Sequence, residues 1–247
     1  MRPRSRPCGR SLSGLALSAL CACASSAEPP PAPEGWTLVY AQDFEGAELG
    51  LDFVCSDPAA WRIEEEDGNR FLEQHAASDY TPPHRSPLNV AVLAGPYLGD
   101  FVLEVDVMQT GREYPHRDAC VLFGVQDPAH FAYAHLSSQA DQAAHHVQLV
   151  AGADRAPLTL RRSFGLDWSE GIWHRVRIER SLTLERVSVW FDGGTSPVLE
   201  ARRGAMQEGW IGLGTFDDSA RFDNLRVYAP RYEVRSPAFF EPLAPGE

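Results

Sequence analysis

Four strand-like segments follow one another in the last third of the chain, at 173–180, 187–191, 209–216 and 222–227. They constrain the fold more than any other feature. Each is short, apolar or alternating, and bounded by turn residues such as Asp192-Gly193-Gly194. The same pattern runs upstream, with further candidate strands at 37–44, 60–66, 70–75, 88–93, 100–108, 119–126, 130–136, 145–151, 157–162 and 197–202. Gly, Pro, Asn or Asp punctuate most joints, and no long stretch keeps a 3.6-residue period. Many short strands at this spacing predict an all-β chain, a two-sheet antiparallel jelly-roll β-sandwich. The expected sandwich covers 36–228, a normal size for one β domain with a sizeable core. A proline-rich tail, 229–247, follows it and carries Phe239-Phe240.

The N-terminus predicts export from a bacterial cytoplasm. Arg2, Arg4 and Arg6 precede an apolar run from Leu12 to Ala24, of signal length and too short to span a membrane. Two readings compete. Ser25-Ser26-Ala27 fits ordinary cleavage after a signal peptide at 1–27. Leu20-Cys21-Ala22-Cys23 resembles a lipoprotein box, with Cys23 lipidated and the product anchored to a membrane. A proline-rich linker, 28–35, follows either way and acts as a stiff tether. The protein is then periplasmic, held at the cell surface, or secreted.

The formal net charge is -12, and the signal region carries four arginines and no acids. The exported part is therefore more acidic still, which disfavours nucleic acid as a partner. Only Cys55 and Cys120 fall in the body. In an oxidising compartment they form one disulfide or remain two buried thiols. Neither has a histidine at zinc-finger spacing.

Period-2 geometry assigns faces. Phe101, Leu103, Val105 and Val107 share one face, with Glu104 and Asp106 on the other. Ala132, Ala134, Leu136, Val147, Leu149, Leu158 and Leu160 point inward. Tyr133, His135, His146, Gln148 and Arg161 then point outward. If these strands are neighbours, the outward residues and the two carboxylates make one polar, aromatic-bearing surface.

The chain resembles the concanavalin A-like lectin/glucanase superfamily. More narrowly it is similar to laminin-G-like and 3-keto-disaccharide-hydrolase-type jelly rolls of secreted bacterial proteins. The resemblance rests on Val39-Tyr40-Ala41-Gln42-Asp43-Phe44-Glu45-Gly46, Asp100-Phe101-Val102-Leu103-Glu104-Val105, Trp173-His174-Arg175-Val176-Arg177 and Val189-Trp190-Phe191-Asp192-Gly193. It closes on Gly212-Leu213-Gly214 and Phe222-Asp223-Asn224-Leu225-Arg226-Val227. It implies the fold strongly and the function weakly, because one fold hosts many functions.

Three functions follow as expectations. The first is passive binding of a glycan on one sheet face through Tyr133, His135, His146, Gln148 and Arg161, with no cofactor beyond a structural calcium. Rings take sugar C–H faces, and planar polar groups take hydroxyls. The second is a polysaccharide lyase or glycoside hydrolase using His135, His146, Arg161, Glu104 and Asp106. Glu104-x-Asp106 resembles the start of a retaining-glycosidase signature, but Gln109 stands where the second carboxyl must act as acid. The third is a structural surface protein without a ligand. The resemblance also implies calcium at Asp223, with the segment from Asp43 to Gly46 supplying oxygens.

Overall fold

The computed structural model describes residues 33–46, 52–202 and 206–243. The expected signal segment with Cys23, and positions 28–32 of the linker, lie outside the described residues.

The chain builds strands β1 (Thr37–Gln42), β2 (Phe53–Cys55), β3 (Trp61–Glu66), β4 (Asn69–Gln74), β5 (Asn89–Leu93), β6 (Gly95–Tyr97) and β7 (Phe101–Gln109). It continues with β8 (Asp118–Asp127), β9 (His130–Ser137), β10 (His146–Ala151), β11 (Ala156–Pro157), β12 (Thr159–Arg162) and β13 (His174–Ser181). The last are β14 (Arg186–Phe191), β15 (Leu199–Arg202), β16 (Trp210–Thr215), β17 (Ala220–Ala229), β18 (Glu233–Arg235) and β19 (Glu241–Pro242). One sheet runs β12-β15-β14-β13-β7-β17-β4-β3, with β1 also on β17; the second runs β11-β10-β9-β8-β16-β5-β2-β19. The pairings are antiparallel, as the turn chemistry requires. Asp67-Gly68, both at positive φ, close the β3–β4 hairpin. The expected two-sheet antiparallel jelly roll is the observed fold.

The core between the sheets is the inward set that alternation selects. Phe101, Leu103, Val105 and Val107 meet Ala132, Ala134, Leu136, Val147, Val176 and Ile178 there. Leu160 is the exception, at 63% exposure, because the β12–β15 register shifts between Thr159 and Arg161. A one-residue slip turns a side chain to the other face.

The outer face of the second sheet carries a further apolar layer, with Val90, Val92, Cys120, Leu122, Phe131, Tyr133, Val150 and Trp210. The tail covers it. Strand β18 pairs with β6, and β19 with β2. Phe239 packs on Trp210 at 5.8 Å between ring centroids, and Trp210 Nε1 donates to the Arg235 carbonyl at 3.0 Å. The tail rings therefore lie over Trp210. Trp190 stays half-buried on the first sheet, in register with Arg177.

Two expectations are corrected. The single polar surface does not form: Glu104 and Asp106 belong to β7 of the first sheet, whereas Tyr133, His135, His146 and Gln148 belong to the second. Those four are at most 8% exposed, because alternation fixes the side of a sheet but not what covers it. The disulfide is excluded as well. Cys55 on β2 and Cys120 on β8 are free thiols, with β5 and β16 between them. Three strand spacings are about 14 Å, against a Cα limit of about 7 Å for a disulfide. Cys55 also faces the inter-sheet core, and Cys120 the outer layer.

Candidate functional site

Three connections pass between the sheets at one end of the sandwich. They are the segments 75–88, 110–117 and 216–219, which follow β4, β7 and β16. Loops at a sandwich end sit on rigid strands and are free to carry function. Here they enclose a cleft of about 360 Å³ lined by Gln74, His75, Leu88, Asn89, Arg112, Tyr114, Phe216, Asp217 and Asp218.

Asp218 organises the wall. Its Oδ2 accepts from the Tyr114 hydroxyl and from the Asp118 backbone N–H, each at 2.9 Å. Burial, and next the Asp118 charge, push the Asp218 carboxyl up to about 6. Burial and the bond to Asp218 push the Tyr114 phenol up as well. Arg112 lies over the Tyr114 ring, 4.8 Å from its centroid. Asn89 Nδ2 donates to Thr215 Oγ1 and to the Phe216 carbonyl, both at 2.9 Å. Its buried Oδ1 has no hydrogen-bond partner. The cleft thus sets two rings beside a carboxylate, amides and a guanidinium.

Behind this wall lies His135. Its Nε2 bonds Asp118 Oδ2 at 2.9 Å, and its Nδ1 lies 3.2 Å from the Ala143 carbonyl. Asp118 Oδ1 accepts from the Phe216 N–H at 3.2 Å. Asp118, Cys120 and His135 bring three ligand atoms within 4.8 Å of one another. These donor types suit a transition metal, but Nε2 and Oδ2 already bond each other, and burial pushes the Cys120 thiol well up. A metal would have to open that bond and deprotonate the thiol.

The other expected residues are placed as follows. His146 is the register partner of His135, with Nε2 3.0 Å from the Asp141 carbonyl and 2.6 Å from Arg162 Nη1. Burial pulls its pKa down. Gln148 Nε2 donates to the Ala143 carbonyl at 2.9 Å. The buried Tyr133 hydroxyl accepts from Arg155 Nη1 at 3.4 Å. His135, His146 and Gln148 thus tie down the segment 141–144 instead of facing solvent. Arg161 does not join them. It lies on β12, its side chain 83% exposed, and pairs with Glu200. Its neighbour Arg162 is the arginine that reaches His146.

Glu104 pairs with Arg177 at 2.6 Å, and Asp106 with Arg175 at 2.7 Å. Asp106 also accepts from Asn224 at 3.0 Å. Both carboxylates are therefore neutralised by arginines. Asp223 is 3% exposed and accepts from Asn69 Nδ2 at 3.1 Å. Burial, opposed by bonds from Asn69 and Asn224, leaves its carboxyl raised to about 6. Asp43 is exposed and shares a shallow depression with Asn224 and Arg226. Calcium takes six to eight oxygens; here Asp223 is already held by its neighbours, and Asp43 lies apart from any three-ligand cluster among the described residues.

Sequence reasoning missed Tyr114, Arg112, Asn89 and Asp218. Each stands in or beside a loop, where no periodicity marks it. The one available signal was Asp217-Asp218 set between the aromatic Phe216 and strand β17.

No family model and no curated protein matches the sequence. Solved structures do match. A carbohydrate-binding module from Bacillus subtilis, CBM66, superposes with a TM-score of 0.53 at 12% identity, covering 72% of this chain and 96% of that one. A seed lectin from Lotus tetragonolobus superposes with a TM-score of 0.50 at 10% identity, covering 80% and 99%. At such identities the likeness is one of fold alone, a β-sandwich jelly roll.

Proposed function

We propose that this protein is an exported carbohydrate-binding module that takes its glycan in the cleft at the loop end of the sandwich. The observation that carries the reading is the cleft itself, where the Tyr114 and Phe216 rings adjoin Asp218, Asn89, Gln74 and Arg112. Rings of this kind stack on sugar C–H faces, and planar polar groups pair with hydroxyls. The likeness in fold to the Bacillus subtilis carbohydrate-binding module and the Lotus lectin supports a carbohydrate ligand. The site moves from a sheet face to the loop cleft, because the segment 141–144, Arg155 and Phe216 cover the sheet-face residues first expected. The laminin-G-like subtype and the anchor at Cys23 belong to the same proposal. Among the described residues no helix is long and apolar enough to cross a membrane.

The test is a glycan array followed by calorimetry on the hits. Tyr114→Ala weakens binding about tenfold or more, in line with ~1.4 kcal/mol for a lost stacking contact. Arg161→Ala leaves affinity unchanged. A silent array, or equal affinity in Tyr114→Ala, overturns the reading. Incubation of the hits with the protein and analysis of products separates binding from turnover. Cleavage of any hit favours the enzyme instead.

A further inference from the structure

Phe164, on the connection from β12 to β13, is 99% exposed. A lone exposed apolar side chain needs no explanation by itself. What sets this one apart is its fixed backbone and its place. The Ser163 N–H donates to the Val198 carbonyl at 2.9 Å, and the Phe164 carbonyl accepts from the Ala140 N–H at 2.9 Å. The Leu166 N–H donates to the Ser137 carbonyl at 3.0 Å, and the Leu166 side chain enters the core. Ser163 Oγ donates to the Gly165 carbonyl at 3.0 Å and lies 2.9 Å from Nε2 of the buried His145. Gly165, at φ +138°, passes so close to Ser138 that a Cβ would collide with the Ser138 carbonyl. The loop is thus held on both sides of a ring that it turns fully into solvent, which makes the ring a preorganised contact.

Its place is the loop end that carries the glycan cleft. The end of β9 lies beside the start of β8, which follows the 110–117 loop and its cleft residue Tyr114. Arg117 stitches these loops together. Its carbonyl accepts from the Ser138 N–H at 3.0 Å, and its Nη1 donates to the Trp168 carbonyl at 3.2 Å. From Tyr114 towards Phe164 runs a strip of exposed polar groups. The His116 ring lies 6.5 Å from the Tyr114 ring, and its Nδ1 is 3.6 Å from Asp141 Oδ2. Exposed Gln139 and then Ala140 lie beside Asp141 in the chain, and the Ala140 N–H bonds the Phe164 carbonyl. Phe216 follows β16 and Ser138 follows β9, with β8 between them. The strip therefore crosses two strand spacings, about 10 Å, and one sugar ring cannot touch both ends.

We propose that the glycan is a chain of several sugars lying across the loop end, with one unit in the cleft and a distal unit stacked on Phe164. This rests on the cleft reading and extends it. The Phe164 ring takes the C–H face of the distal sugar, and His116, Gln139 and Asp141 pair with hydroxyls along the way. A lipid surface fits less well, because the strip is polar and the chain carries a net charge of -12. Two contacts on one ligand reinforce each other, since the second forms at high effective concentration. The protein therefore prefers a polysaccharide to its free monosaccharide.

The experiment is calorimetry of the full chain against a ladder of oligosaccharides of rising length, cut from the polysaccharide that the array binds best. Affinity is expected to rise with length until the strip is spanned and then to level off. Phe164→Ala lowers affinity for the longer chains about fivefold and leaves the shortest binding oligosaccharide unchanged. Phe164→Tyr keeps the rise, because it keeps the ring. Tyr114→Ala weakens binding at every length. The Phe164 side chain is fully exposed, so Phe164→Ala is expected to melt with the wild type. An affinity independent of length, or a rise retained in Phe164→Ala, overturns the extended chain while the cleft reading stands. Phe164-dependent binding to phosphatidylglycerol vesicles in place of that rise assigns the ring to a lipid surface and overturns it too. A silent array, or unchanged binding in Tyr114→Ala, removes the cleft reading, and the extension falls with it.

Discussion

The outer faces of the two sheets begin from the same period-2 pattern and end in opposite states. On the first sheet, β3, β4, β7, β13 and β17 present a lattice of ion pairs. Arg62 and Arg221 flank Glu73, Arg175 holds Asp106, and Arg177 bridges Glu104 and Glu179. On the second sheet the same side of the alternation carries Val90, Leu122, Phe131, Tyr133 and Trp210. The tail and the loops near Tyr80 and Phe216 seal it. One face is satisfied by charge pairing at a half-wet surface, the other by burial under a distant segment. Outward on a strand is therefore a direction, not a statement about solvent.

Substitutions on the two faces test that difference. Trp210→Ala has the largest expected effect, because it removes a ring held by Tyr97, Phe239 and the Arg235 carbonyl. The loss is on the order of 3–5 kcal/mol, read by urea denaturation. A loss below about 1 kcal/mol would mean that the tail does not seal a second core. On the first sheet Arg177→Ala leaves Glu104, only 2% exposed, without its 2.6 Å partner. The expected cost is about 3 kcal/mol, and adding Glu104→Gln recovers much of it. Failure of that rescue would break the picture of a charge-paired face.

A smaller effect depends on pH. Asp218 has a folded pKa of about 6, above the ordinary value of ~3.9 for an unfolded chain. Its ionisation in the fold therefore opposes stability above that window. Stability contributed by the neutral form is gained as pH falls from about 7 towards 4. Asp223 is raised to about 6 and acts in the same sense. Asp218→Asn keeps an acceptor for Tyr114 and removes the charge beside Asp118. It is expected to gain on the order of 1–2 kcal/mol at pH 7.5 and little at pH 4.5. Equal denaturation midpoints for variant and wild type at both pH values would contradict the buried carboxylate pair. The smallest effect is that of Arg161→Ala, whose exposed pair with Glu200 contributes within about 0.5 kcal/mol.

The fold was largely legible. The fourteen expected strands all correspond to strands, and the inward sets of β7, β9 and β10 form the core. The short strands β2, β6, β11, β18 and β19 were not legible. At two or three residues, they are too brief for a period and exist through pairing with partner strands. The candidate site was barely legible. Tyr133, His135, His146 and Gln148 were correctly set on one face, yet that face is sealed. Tyr114 and Asp218 lie 104 residues apart and share a proton-bearing bond that only the loop crossing creates.

By itself the sequence determined what is local: strand positions, turn residues, which side of each strand is apolar, and a net acidic chain. Those follow from steric period and side-chain chemistry, which act within a few residues. Tertiary structure alone decided which outward faces meet water, that Cys55 and Cys120 stand three strands apart, and that Arg161 and His146 belong to different sheets. It also decided that Phe164 and the cleft share one end of the sandwich. Each depends on which distant segment is laid against which strand, and that choice is made by burial summed over the whole chain.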